Sequence, residues 1–163
     1  MRAFDNAEFD RATVVGPFDP SVVSEFQDWL HESDYDHIEF EPAYIECLTE
    51  FHGAVPRKPY FTTANGTEHA VTRFLNFLPR GSSNPMRQYS VAVNWSDLDD
   101  RLGPYLMPFA ELFAGDFLCF DYQNRGRPSI VVWFHERSFD APSTEFVAID
   151  FDAFFSCLRA TPT

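Results

Sequence analysis

Asp116, Asp121, His135 and Glu136 lie within one stretch, AGDFLCFDYQNRGRPSIVVWFHERS, from Ala114 to Ser138. Carboxylates and an imidazole are the side chains of acid–base catalysis and of metal ligation. Each of the four also sits at the edge of an apolar run, where a polar residue ordinarily ends a buried strand. The stretch is open to two readings. One is a catalytic or metal site. The other is the polar trim of a hairpin, with FLCFDY and SIVVWFH as strands and QNRGRP as the turn.

The other candidates are dispersed. His31, His37, His52, His69 and His135 form no H-E-x-x-H and no Cys/His knuckle. Cys47 and His52 are spaced so that they fall on different helix faces. Cys119 and His135 could meet across adjacent strands, but Leu118 and Phe120 flank the cysteine and point to a buried, inert thiol. SDLDD, from Ser96 to Asp100, superficially suggests a magnesium motif. It reads better as a solvated helix face, with Ser96 capping a turn and Asp99 three residues on. There is no P-loop, no G-x-G-x-x-G and no G-x-S-x-G. With no assembled nucleophile or acid–base set, the chain is expected not to be an enzyme and to need no metal or cofactor.

The elements that would position these residues can be read from patterning. A chain of 163 residues, 45% hydrophobic and with 19 Phe, is a single domain able to build a large core. Asp19-Pro20 opens a helix with Val22, Val23, Phe26, Trp29 and Leu30 at helical spacing. HESDYDHIEFE links it to a second helix, Pro42 to Gly53, whose apolar face is Phe40, Tyr44, Cys47, Leu48 and Phe51. YFTT and EHAVTRFLNFL read as a strand pair turning at Asn65-Gly66. Val91, Trp95, Leu98 and Leu102 predict a helix ending at Gly103-Pro104, although Val91, Val93 and Trp95 also alternate like a strand. After the hairpin come a strand, EFVAI, and a short helix marked by Phe151, Phe154, Phe155 and Leu158. This is an α+β pattern, a largely antiparallel sheet with flanking helices.

Acids outnumber bases 25 to 12, for a formal charge of −13. Such a surface repels nucleic-acid phosphates and anionic lipid and attracts basic partners. Cys47, Cys119 and Cys157 are an odd count in apolar surroundings, which suits buried reduced thiols in a reducing compartment. MRAFDNAEFDRA has no apolar core of a signal peptide, and no run approaches a membrane span, so a cytoplasmic location is expected.

Four stretches in order resemble the SUKH superfamily, the group that includes the yeast cell-wall synthesis regulator Smi/Knr and many bacterial toxin-immunity proteins. They are PAYIECLTEFHGAVP; the strand pair from Tyr60 to Phe77; RLGPYLMPFA with GDFLCFDY and IVVWFHE; and FVAIDFDAFFSCL. The resemblance is strongest from Val22 to Leu158. It departs from the family where Asn-Gly-Gly is frequent and this chain has His52-Gly53-Ala54. The resemblance implies a single SUKH-like domain with the hairpin at the centre of its sheet. Phe117, Phe120 and Trp133 would then be core, joined by Tyr44, Phe51, Phe151 and Phe154, and His135 and Glu136 would cap the strand end. It also implies that the chain neutralises a cognate toxin by covering its active site or substrate path. That toxin would be a basic, nucleic-acid-targeting enzyme, bound without direct contact of this chain with nucleic acid or membrane. The alternative within the resemblance is a regulatory adaptor of the yeast type. The candidate contact residues are two groups of acids expected to be exposed: Asp34, Asp36, Glu39 and Glu41 with Tyr35 among them, and Asp97, Asp99 and Asp100.

Overall fold

The helices begin where local chemistry places them. In the computed structural model, which describes residues 8–124 and 126–163, α1 runs Pro20–Glu32. The Asp19 carboxylate accepts from the Ser21 amide at 2.9 Å and from its hydroxyl at 2.8 Å, and Pro20 fills the first position, where no amide is needed. The helix stops with Asp34 in the left-handed region (φ 70) while the Tyr35 amide reaches back to Leu30 O at 2.8 Å. That is a six-to-one C-cap, and Asp is one of the few side chains that tolerate its turn. Helix α2 is Pro42–Phe51. Helix α3 is Val91–Leu102, capped by Ser90, whose hydroxyl accepts from the Val93 amide, and closed by Gly103 at φ 75. The expected cap at Ser96 is thereby corrected: Ser96 lies exposed inside the helix, because the helix starts a turn and a half earlier. Helix α4 is Phe151–Ser156.

Six strands form one antiparallel sheet in sequential order: β3 Tyr60–Thr62, β4 Glu68–Phe74, β5 Leu106–Leu112, β6 Phe117–Asp121, β7 Ser129–Trp133 and β8 Thr144–Ala148. A separate two-residue pair joins β1 (Phe9–Asp10) to β2 (Val55–Pro56). The hairpin read from the sequence is β6–β7, registered Phe117↔Trp133 through Asp121↔Ser129, and it occupies interior positions of the sheet. β7 ends at Trp133, and His135 opens a short 3₁₀ turn instead of extending the strand.

Strand β5 carries no clear sequence signal, because Pro108 interrupts the run LMPFAEL and a proline cannot donate to a central ladder. The structure resolves the conflict with a register shift between Pro108 and Ala110 against β6, the kind of bulge at which proline is admitted. The sheet also curls until its ends meet. The Ala64 amide in the β3–β4 turn donates to Phe146 O in β8 at 2.8 Å, and the Thr67 hydroxyl donates to Glu145 at 3.0 Å.

Helices α2 and α4 cover one face of this sheet with rings. Phe109 stacks on Phe120 at 4.4 Å, Tyr44 meets Phe120 edge-on at 5.0 Å, and Phe151 lies 5.6 Å from Tyr44. Tyr44, Phe51, Phe117, Phe120, Trp133, Phe151 and Phe154 are all buried. Two expectations fail at the surface. Trp29, placed on the apolar face of α1, is 49% exposed, since Val23 and Leu30 supply that helix's buried contacts. Cys157 is exposed, while Cys47 and Cys119 are buried; it follows the last turn of α4, beyond the rings that hold that helix to the sheet.

Phe120 touches rings from both helices and from β5, so Phe120→Ala is expected to cost about 3–5 kcal/mol of stability. Chemical denaturation with an unchanged slope would register this as a lower midpoint.

Candidate protein-binding surface

Both aspartates of the stretch that first suggested chemistry bond backbone amides. Asp116 accepts from the His135 amide through Oδ1 at 2.9 Å, so the hydrogen bond at the end of β7 runs from the His135 backbone to the aspartate. Gly115 turns into β6 at φ 82 and faces the His135 ring, where an added Cβ would lie 3.5 Å from that ring. Asp121 closes its own turn by accepting from the Gln123 amide at 2.9 Å, and Glu136 is exposed. His31, His37 and His52 are held by backbone groups. His52 is buried, accepts from the Phe77 amide through Nε2 at 2.7 Å and faces Gly16 O through Nδ1. Burial pushes its pKa below the ordinary imidazole value, as suits a neutral ring bridging two backbone groups. Among the described residues, no group of three or more His, Cys, Asp or Glu is placed to hold a metal ion, and no helix is long and apolar enough to cross a membrane.

The acidic segment between α1 and α2 is a pinned platform. His31 Nε2 meets Ile38 O at 2.9 Å, the Phe40 amide donates to Gln27 at 3.1 Å, and the Tyr122 hydroxyl donates to Glu39 O at 2.7 Å. His37 Nε2 meets Pro104 O at 2.6 Å. Each bond takes a backbone group or a histidine and leaves the carboxylates of Asp34, Asp36 and Glu39 exposed.

The two acid groups, distant in sequence, meet through aromatic rings. Tyr35 sits edge-on against Trp95 of α3 at 5.1 Å, Trp29 contacts the same indole at 5.7 Å, and the His37 ring lies 5.3 Å from Tyr105. Trp95 and Leu102 face inward and Leu98 packs partly buried beside them, leaving Asp97, Asp99 and Asp100 in solvent. On the far flank of α3, Arg101 lies 4.8 Å over the Phe139 ring and 5.4 Å over Trp133, and donates to Ser138 O and His135 O. Exposed carboxylates thus surround Trp29 and Tyr105 (43% exposed), while Phe139 (74% exposed) lies beside Arg101 on the other flank of α3. Large rings inside a charged rim are the usual anchors of a protein interface. Sequence reasoning missed Trp29, Tyr105 and Phe139, since a single aromatic in an apolar pattern reads as core.

Glu41 does not belong to this face. Its side chain keeps only 10% of its surface and pairs with Arg127 at 3.2 Å, while Arg127 also reaches Asp150 at 3.0 Å. This clamp ties the start of α2 to the β6–β7 turn and to the cap of α4. The expectation that Glu41 is an exposed contact residue is corrected. It lies directly before Pro42 and is drawn inward with α2.

A search of curated proteins and a search of solved structures each return no match. The SUKH_6 family model, described as SMI1-KNR4 cell-wall, matches residues 35–155. The match covers most of the chain, from Tyr35 on the acidic platform to Phe155 in α4, and the chain belongs to this family.

Burial raises the Glu41 carboxyl above its ordinary 4.5, against the pull of Arg127. A folded-state pKa above the unfolded one makes a contribution that is full below about 4.5 and lost as pH rises through the raised value. The stability of Glu41→Gln relative to the natural protein is therefore expected to rise with pH across that window. Urea midpoints at several pH values check this, and a flat difference would contradict it.

Proposed function

We propose that the protein is an immunity-type binding protein that neutralises a cognate toxin domain by occlusion, one to one and without turnover. The observation that carries this reading is the pinned acidic face with exposed aromatic anchors, on a chain of the SMI1-KNR4 family. A chain with net charge −13 complements the basic cleft of an enzyme that acts on nucleic acid. Such complementarity steers encounter and can raise association rates to about 10⁸–10⁹ M⁻¹s⁻¹ at low salt. Trp29, Tyr105 and Phe139 then supply the contacts that set residence time and partner choice. The platform backbone is held by side-chain hydrogen bonds before the partner arrives, so little ordering entropy is lost on binding. A cytoplasmic site of action follows from this reading, since the toxin would be met inside the cell.

The test is inspection of the neighbouring gene for a toxin domain and co-expression with it, together with binding kinetics on the purified pair. Protection and a stoichiometric complex are expected, and added salt should slow association more than it speeds dissociation. Asp36→Lys with Glu39→Lys, and separately Asp97→Lys with Asp100→Lys, should lower the association rate by about tenfold or more. Asp34 is better tested as Asp34→Asn, which keeps a side chain suited to its left-handed backbone. If neither pair changes the rate, steering by these acids is wrong. If no complex forms and no protection is seen, the immunity reading fails and a regulatory adaptor of the yeast type takes its place.

A further inference from the structure

We propose that Trp29 seats an arginine side chain presented by a basic protein partner, held flat on the indole with Glu25 and Glu32 at its edges. Trp29 is 49% exposed. Its ring is nevertheless fixed, with Phe26 stacked beside it at 6.3 Å and Trp95, 3% exposed, meeting it edge-on at 5.7 Å. A ring held in this way has little freedom left to lose when a partner arrives. Glu25 stands four residues before Trp29 on α1 and Glu32 three residues after it, so both flank the indole on one helix face. Both are exposed, and among the described residues neither forms an ion pair.

The chain's own arginines set a pattern from which Trp29 departs. Phe51, Tyr89, Phe134 and Phe139 each have a guanidinium over the ring, from Arg11 at 5.1 Å, Arg73 at 4.2 Å, Arg137 at 4.0 Å and Arg101 at 4.8 Å. An indole attracts a cation more strongly than either of those ring types, yet among the described residues no guanidinium lies over Trp29. Charge selects the occupant: carboxylates on both sides and a net charge of −13 favour a cation and repel phosphate. Shape selects arginine over lysine. A guanidinium is planar, so it lies on the ring and still directs N–H groups sideways to a carboxylate, which a compact, strongly hydrated ammonium does less well. The assignment rests on the binding-protein reading above and adds the residue that the partner must present.

The experiment titrates the isotope-labelled full chain with three capped peptides of equal length, alternating Gly with Arg, with Lys, or with citrulline, the uncharged isostere of arginine. The arginine peptide is expected to shift the Trp29 indole N–H saturably, with the lysine peptide about fivefold weaker and the citrulline peptide about tenfold weaker or worse at that signal. Trp29→Leu should abolish the preference for arginine over lysine in overall affinity and leave the weaker attraction of charge alone. Glu25→Gln with Glu32→Gln, both at exposed helix positions, should weaken the arginine peptide by about fivefold with the core signals unmoved, so the test does not depend on how Trp29→Leu folds. Equal affinity of the arginine and lysine peptides at the Trp29 indole would overturn the proposal. So would a preference for arginine that survives Trp29→Leu, or a double glutamine variant that binds as the unsubstituted chain does. No toxin enters this series, so its failure leaves the immunity reading standing, and a toxin that does not bind leaves the peptide result intact.

Discussion

The stacking of Phe109 on Phe120 at 4.4 Å is the contact around which the molecule is arranged. It joins the two central strands and offers one continuous aromatic surface to both covering helices. The bulge beside Pro108 sets Ala110 opposite Leu118, so β5 bends at this point while Phe109 keeps its ring on Phe120. Tyr44 from α2 and Phe151 from α4 then close over the pair. Rings bury much area with few rotatable bonds, and a chain with 19 Phe can build a core this way without disulfides or a metal.

The same core holds the acidic platform in place. Tyr122 directly follows β6, with its body buried against Phe120. Its hydroxyl reaches out to the carbonyl of Glu39. Burial pushes that phenol's pKa up, so it remains a donor at any physiological pH. The sheet thus holds the acidic segment by a direct bond, and the carboxylates on it project from a bonded backbone. A surface of this kind recognises by shape and field together, because its charges keep their spacing when a partner approaches.

Polar groups elsewhere show how a fold absorbs residues that look reactive. Asp116 and His52 satisfy backbone amides inside the fold, and Asp121 closes an exposed turn. Glu41 binds the Arg127 guanidinium, which also holds Asp150. Burying an unpaired amide costs about 1–3 kcal/mol, so one well-placed carboxylate or imidazole is accounted for by structure alone. Acid and base types near a hairpin are weak signs of catalysis for this reason.

Local patterns carried much of the architecture. Asp19-Pro20, Asn65-Gly66 and Gly103-Pro104 mark ends that depend only on neighbouring backbone angles and caps, and each lies where expected. The hairpin and the aromatic faces of α2 and α4 follow from hydrophobic periodicity, which is local too. Strand β5 was hidden because its proline is admitted only by a bulge against another strand. Ser96 was misread as a cap because Ser90, a turn and a half earlier, offers the same chemistry. The candidate surface was legible only as two lists of acids. The union of those lists around Tyr35 and Trp95, the exposure of Trp29 and the withdrawal of Glu41 into an ion pair were decided by tertiary contacts. The physical reason is distance along the chain: His37 bonds a carbonyl 67 residues away and Tyr122 one 83 residues away, and no local periodicity encodes which distant segments will share a face.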